Sequence, residues 1–481
     1  MFVGRTEELE ALEDMYSSGR FEMMVLYGRR RVGKTSLIDE FSKDKRTFYF
    51  TASQKSTKLN LEVFSRQMSS FFNMPELPAF TDWRNAFEFF VGLTRNSQST
   101  GNGHFVFVFD EFPYAAQADP TLPSTLQTAI DHGFKDTSVM MILSGSNQGF
   151  MESEVLGGKS PLYGRRTGQI RLEPFDYYDA AKFLPDVSDE ERVQYYATFG
   201  GTPYYLARLR PSRGFKRNVA DLMFRKSGLL YEEPMMLLRE ETREPASYFS
   251  VLQAVANGSS TPKRIAEHAG VEASSVARYL NSLVDLGLVE RKLPFGDNPQ
   301  KSHKGMYVIA DPFFAFWFRF VGTNVDVIEN GKGLETAEET TSGEAFSTYV
   351  GQQFENICLQ WVARHSGALD LPFPVTRFGK WWGNNPVAHE QTDIDVVAAN
   401  GRGQLLIGEC KWRNTFDVTE AIDKLQGRVG LVPGFKPAST RLALFSKRPV
   451  AKTVRTKIGR DAPGLLFFST DDLYRKLQGW E

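Results

Sequence analysis

The sequence predicts an α/β protein of several domains, and three observations carry that expectation. Strand-like and helix-like segments alternate through the first 175 residues, the pattern of a parallel sheet covered by helices on both faces. The first strand–helix junction is a glycine-rich turn, "GRRRVGKTS" (28–36). After a helical middle, alternation returns between 346 and 481. We therefore expect a parallel-sheet core over 1–175, a helical bundle over 176–245, a three-helix unit with a terminal hairpin over 246–325, a linker over 326–345 and a second α/β domain over 346–481.

The elements follow in order. "EMMVLYG" (22–28), "RTFYFTA" (46–52), "HFVFVFD" (104–110), "SVMMILSG" (138–145) and "GQIRLEPF" (168–175) read as strands, with amphipathic stretches between them. Residues 176–245 have helical patterning, broken at "FGGTPYYL" (199–206). "YFSVLQAVAN", "TPKRIAEHAG" and "EASSVARYLNSLVDLGLV" read as three helices, and "LVERKLPFGDNPQKSHKGMYVIA" as a hairpin with a Gly/Pro/Asn turn. Three helices closed by a β-wing predict a winged helix-turn-helix. The acidic, glycine-containing stretch 326–346 marks the expected boundary. Helix "YVGQQFENICLQWVARH" (349–365), three strand-like runs, helix "VTEAIDKLQGRVGLV" (418–432) and strand "RLALFS" (441–446) complete the chain's main elements.

Composition narrows the class. The chain has 481 residues, 41% hydrophobic and 24% charged, ample material for globular cores. Its 39 phenylalanines are spread along the expected strands and helices, which predicts core packing. Formal net charge is −1, so bulk charge is neutral on nucleic acid, yet residues 346–481 carry 18 Lys/Arg against 13 Asp/Glu. Within them "KRPVAKTVRTKIGR" (447–460) holds six basic residues and no acid, the composition of a solvated helix face or of a phosphate-tracking one. Two cysteines, Cys358 and Cys410, supply no disulfide framework and suit a reducing cytosol. "MFVGRTEELEALEDMY" carries acids where a signal peptide needs an apolar run, and "PFFAFWFRFV" (312–321) is far shorter than a membrane span. No membrane partner is expected, and the cytoplasm is the expected location.

The glycine-rich turn matches G-x-x-x-x-G-K-[ST] with Gly28, Gly33, Lys34 and Thr35 in register. Across Gly28, Arg29, Arg30, Arg31, Val32, Gly33, Lys34, Thr35 and Ser36, backbone N–H groups are expected to close around phosphates. Lys34 is expected to reach the β/γ-phosphates, and the Thr35 hydroxyl to hold Mg²⁺. "FVFVFDE" (105–111) places Asp110 at the carboxyl end of a buried strand, where ligands of open α/β sheets bind. Asp110 is the second expected Mg²⁺ residue and Glu111 the residue that polarises the attacking water. Ser144, Ser146 and Asn147, in "LSGSN" at the next strand end, are placed to sense the γ-phosphate. ATP with Mg²⁺ is the expected cofactor, and P-loop NTPase the expected fold of this part.

Together "FVGRTEEL", the P-loop, "DEF", "SGS", "PLYGRR" (161–166) and "GGTP" (200–203) resemble prokaryotic ATPases of the AAA+/STAND group, and more narrowly the archaeal-type ATPase family. That resemblance implies a nucleotide-coupling Gly-x-Pro motif at Gly201, Thr202 and Pro203. It also places a phosphate-sensing arginine at Arg165, where a surface ion pair is the other reading. In the winged helix, the third helix carries only Arg278 as a basic residue. Lys263, Arg264, Lys301, His303 and Lys304 lie on the second helix and wing, so the unit suits a relay between domains as well as DNA contact.

"LLIGECKW" (405–412) ends an apolar strand in Glu409 and Lys411, which share a face because strand side chains alternate. Asp395 opens another apolar strand upstream, and Glu355 lies on a preceding helix. This set resembles PD-(D/E)xK phosphodiesterases, and the element order fits their restriction-endonuclease-like core. The chemistry would be divalent-metal assisted: Asp395 and Glu409, with the Cys410 carbonyl, supply oxygen ligands, and Lys411 orients or deprotonates the attacking water. Mn²⁺ is an alternative metal there, and a salt bridge at a strand end is the competing structural reading. No proline precedes Asp395, which departs from the fullest form of the motif. The favoured reading is an ATP-dependent switch controlling a metal-dependent nuclease, in defence against foreign DNA. Expected partners are ATP and nucleic acid, DNA ahead of RNA, with a homo-oligomer left open. Two rivals stand beside it: an ATPase with a non-catalytic docking domain, and an ATP-responsive DNA-binding regulator.

Overall fold

A computed structural model describes residues 2–99, 104–367, 371–461 and 464–475. The chain packs as two compact units, 1–174 and 175–481, each described by itself.

The first unit is built on β1 (Glu22–Tyr27), β2 (Thr47–Thr51), β3 (Val106–Asp110), β4 (Met140–Gly145) and β5 (Gly168–Arg171). They form one parallel sheet in the order β2-β3-β4-β1-β5, with helices on both faces. Alternation along β3 explains the phenylalanine usage. Phe107 and Phe109 face a cluster with Phe48, Phe64, Trp83 and Phe90, whereas Val106 and Val108 face Leu37, Ile38 and Ile142 on the other side. Every residue of β1, β3 and β4 is buried, as both-face coverage of a parallel sheet requires.

The second unit begins with helices Tyr177–Ala181, Asp189–Phe199, Phe215–Met223 and Glu233–Glu241. Helices Pro245–Ala256, Pro262–Ala269 and Val276–Asp285 follow, closed by an antiparallel hairpin of β6 (Val289–Lys292) and β7 (Met306–Ile309). The expected winged helix is present. Residues 326–345, expected as a linker, are largely helical, with Gly333–Ser342 the main segment. Gly333 explains the packing there: a Cβ on it would meet the Phe224 carbonyl oxygen at 1.9 Å, so only glycine lets the two backbones approach. Helix Glu344–Arg364 then leads into β8 (Arg377–Asn385), β9 (Glu390–Ala399), β10 (Leu405–Lys411), β11 (Thr440–Ser446) and β12 (Leu466–Ser469). These form a mixed sheet in the order β12-β11-β10-β9-β8, antiparallel from β8 to β10 and parallel from β10 to β12. The expected helix over 418–432 stops at Gln426, where Gly427 follows, and the chain continues through a short 3₁₀ turn.

The wing is tied to this sheet. The Phe295 backbone N–H donates to the Lys380 carbonyl at 2.7 Å, and the Phe295 ring is buried with Trp381, Ile394 and Val397. No helix among the described residues is long and apolar enough to cross a membrane.

Candidate nucleotide and carboxylate sites

In the first unit the turn between β1 and helix Lys34–Ser42 forms a cradle. Gly33 and Arg31 hold positive φ, and a Cβ on Gly28 would sit 2.3 Å from the Leu172 carbonyl oxygen, so Gly28 is fixed by the neighbouring β5 edge. The Lys34 ammonium donates to the carbonyls of Gly28 (2.8 Å) and Arg29 (3.2 Å), folding back over the loop. Val32 is fully buried, so the loop offers only its backbone there, while Thr35 and Ser36 are exposed at the first helical turn. Arg30 hydrogen-bonds the Tyr114 hydroxyl.

Asp110 emerges at the end of β3, buried, and accepts hydrogen bonds from the Tyr49 hydroxyl (3.0 Å) and the Glu111 backbone N–H (3.0 Å). Burial and the adjacent Asp110 push the Tyr49 phenol well above its ordinary value, so it stays a neutral donor. Asp39 on the P-loop helix is pushed up by burial and by Asp110. Glu111 takes a left-handed backbone and accepts from Ser146 Oγ at 2.8 Å and Ser146 N at 3.3 Å. Ser146 thus touches the expected water-polarising carboxylate.

Three other expected residues lie differently. Ser144 is 0% exposed and its hydroxyl has no hydrogen-bond partner, so it is sealed inside the sheet and does not reach the cleft. Asn147 caps the short helix that follows, accepting from Phe150 N at 3.0 Å, which is turn chemistry. The Arg165 guanidinium is committed to Asp131, at 2.9 Å from Nη2, and holds that carboxyl down at about 2 together with Lys135. The ion-pair reading is the one this geometry supports.

Arg5 was not anticipated. Its guanidinium donates to the carbonyls of Val32 (3.1 Å) and Glu173 (2.6 Å), bracing the loop from below, and pairs with Glu8 at 3.0 Å. The signal was present as "VGR", where Gly4 and Arg5 both adopt positive φ.

In the second unit Pro203 opens the short helix Pro203–Leu206. Gly201 before it is held by backbone contact: Phe175 N donates to its carbonyl at 2.8 Å, and a Cβ there would lie 1.7 Å from the Phe175 oxygen.

The C-terminal sheet brings the carboxylates together. The β9–β10 pairing ends at Val396–Gly408, which leaves Asp395 just past its last pair and beside the β9 register shift. Asp395 is buried and accepts from Cys410 N at 2.8 Å; burial, then neighbouring Glu355 and Glu409, push its carboxyl up to about 8. Glu409 receives Lys411 at 2.6 Å on one oxygen and Arg428 at 2.7 Å on the other. Glu355, on helix Glu344–Arg364, pairs with Lys380. Sequence reasoning missed Lys380 and Arg428, since neither lies within the motif; each arrives from a flanking element. Among the described residues no group of three or more His, Cys, Asp or Glu is arranged as a ready-made metal site. Cys358 and Cys410 are free and buried. Of the basic run, Lys447 and Arg448 pair with Glu190, and helix Lys452–Asp461 carries Lys452 and Lys457 on an exposed face.

A sequence profile of an ATPase domain predominantly from Archaea matches residues 2–209, one of an IclR helix-turn-helix domain matches 248–293, and one described as archaeal and bacterial proteins of unknown function matches 317–422. The uncharacterized protein MJECL04 of Methanocaldococcus jannaschii is 32% identical over 418 residues, covering 87% of this chain and 89% of the relative. The chain belongs to this archaeal-type ATPase family. A second relative from that organism, the uncharacterized ATP-binding protein MJ0423, is 52% identical over 46 residues, 10% of this chain and 78% of its own. The Walker-type ATPase PABY2304 of Pyrococcus abyssi shares the fold, with a TM-score of 0.50 at 20% identity over 66% of this chain and 96% of its own. The archaeal-type ATPase is thus a P-loop ATPase with a winged helix-turn-helix and a separate C-terminal sheet domain.

Proposed function

We propose that this ATPase is a nucleotide-driven switch, of the STAND kind, whose C-terminal domain cleaves nucleic acid. One observation carries the first half. Lys34 folds over the Gly28 and Arg29 carbonyls, while Asp110 and Glu111 stand at the end of β3, separated from β1 by β4 alone. Thr35 and Asp110 offer a hydroxyl and a carboxylate to Mg²⁺, and Tyr49 holds Asp110. The ion would neutralise charge developing on the β/γ-phosphates. Lys34 moves from the loop carbonyls to those phosphates, and Glu111 orients water once Ser146 releases it.

The second half rests on buried Asp395 lying close enough to Glu355 and Glu409 to feel both charges, with Lys411 paired to Glu409. Two carboxylates and the Cys410 carbonyl form an oxygen set suited to Mg²⁺ or Mn²⁺. Such an ion would polarise a phosphoryl oxygen. Lys411 orients the nucleophilic water, and Arg428 holds Glu409. A second reading is favoured by the same contacts: Glu409 is already neutralised by two cations, as a purely structural ion-pair network would be. In either case the winged helix serves as a relay more than a reader. Its single recognition-helix arginine, Arg278, pairs with Glu244 at 3.1 Å, and its wing is packed on β8.

The test is cleavage of single- and double-stranded DNA and RNA by the full chain with Mn²⁺, with and without ATP. Wild type should cut and Lys411→Ala should not, while both bind Mn²⁺. Absence of cutting and of Mn²⁺ binding in wild type leaves the ion-pair scaffold as the answer.

A further inference from the structure

A cavity of about 410 Å³ is lined in part by Lys380, the partner of Glu355, and the rest of its lining is chemically unusual. One wall is β8, whose alternate residues Phe378, Lys380 and Trp382 point the same way. Phe378 is 47% exposed, an aromatic ring left in water. The facing wall is helix Glu344–Arg364, which presents Gln353, Asn356 and Gln360 at helical spacing. The wing strand β6 closes the end with Glu290 and Lys292.

Charge identifies the occupant. Lys292 pairs with Glu290 at 3.0 Å and Lys380 pairs with Glu355, so the cavity is balanced and does not select an ion. What it offers is aromatic surface and amides. Asn356 gives its carbonyl to Lys292 (3.0 Å), while its NH₂ has a single 3.4 Å contact to Gln353. Gln360 is committed to Tyr177 N and the Tyr196 hydroxyl, which fixes the helix face in place. A neutral, planar group edged with donors and acceptors meets these terms, and stacking on an aromatic face is how unpaired bases are held. A paired base inside a duplex has its faces stacked and its Watson–Crick edge occupied, leaving only its groove edges open.

We infer that this cavity takes an unpaired base of a single-stranded nucleic acid, setting the adjoining phosphodiester near Glu355, Asp395 and Glu409. The inference rests on the reading that this domain acts on nucleic acid, and it names the strand state of the substrate. The β8–β9 register shifts here: two steps from Gly379 to Trp381 face three from Val397 to Ile394, so the extra residue lies on β9 beside Asp395, across from Lys380.

The test is fluorescence anisotropy of a labelled single-stranded oligonucleotide of about 12 nucleotides, with the full chain, EDTA present and the P-loop saturated with ADP. Trp382→Ala should weaken binding by about 5- to 150-fold, the range that one stacked base accounts for, and Trp382→Phe should restore most of it. Phe378→Ala, at an exposed position, carries the test if Trp382→Ala fails a thermal melt. Unchanged binding in these variants, or equal binding and equal sensitivity with the matching duplex, overturns the inference. Cleavage is read separately in Mn²⁺. Loss of strand binding in Trp382→Ala beside an inert wild type upholds the pocket and removes the nuclease. Cleavage that needs Lys411 but ignores Trp382 and Phe378 does the opposite.

Discussion

The two candidate sites are built from opposite materials. The P-loop is a backbone object: its shape is fixed by Gly28, which cannot carry a Cβ against Leu172, and by Arg31 and Gly33 at positive φ. The carboxylate site is a side-chain object, in which Glu355, Asp395 and Glu409 are balanced by Lys380, Lys411 and Arg428. A backbone cradle keeps its form whether or not its ligand is bound, because glycine geometry and a braced strand hold it. A charge cluster keeps its form only while the charges balance. Substitutions at the first should therefore cost activity and spare the fold, and at the second they should cost both.

The largest expected effect is at the cradle. Lys34→Ala removes the cation facing the β/γ-phosphates and should lower ATP hydrolysis by about 10²-fold or more, with little change in melting temperature. Glu111→Gln should retain nucleotide binding and slow turnover by a similar factor. Steady-state hydrolysis beside a nucleotide-binding titration separates the two. Undiminished hydrolysis in Lys34→Ala would remove the P-loop from the chemistry.

At the carboxylate cluster the order reverses. Glu409→Ala strands Lys411 and Arg428 beside each other in a largely buried position. Breaking a buried pair from one side costs about 3 kcal/mol or more, so thermal melts should show clear destabilisation. Lys411 is about a third exposed, and Lys411→Ala should cost less than about 1 kcal/mol. If both variants melt like wild type, the cluster is not what holds this end of the sheet.

The same contrast explains what the sequence disclosed. Glycines at fixed spacing after an apolar strand are local signals, and β1, β3 and β4 were legible because continuous apolar runs match strands buried on both faces. Asp395, Glu409 and Lys411 were legible as a motif. Their neutralising partners were not, because Lys380 and Arg428 come from elements whose placement depends on the whole sheet. Ser144 illustrates a further limit. It shares a strand end with Ser146, yet the two-residue period did not fix which serine would clear the sheet edge, and only Ser146 reaches Glu111. Helicity over 326–345 was masked by its glycines, which serve close packing at Gly333 and a kink at Gly331.

Arg165 gives the smallest and sharpest test, because it asks whether a side-chain charge belongs to the backbone site at all. Its guanidinium lies on Asp131, part-exposed, and Lys135 shares that carboxylate at 2.7 Å. If the pair is all it does, Arg165→Gln leaves ATP turnover unchanged and lowers stability only slightly, as solvent-screened pairs do. The sign with pH follows from the depressed carboxyl. Asp131 sits at about 2, below its unfolded value, so its contribution is fully present above roughly pH 4 and is lost as pH falls toward 2. The melting difference between wild type and Arg165→Gln should therefore be seen at pH 6 and shrink by pH 3. A large drop in hydrolysis with no pH-dependent melting difference would return Arg165 to the nucleotide, and would mean that the Asp131 pair breaks when ATP binds.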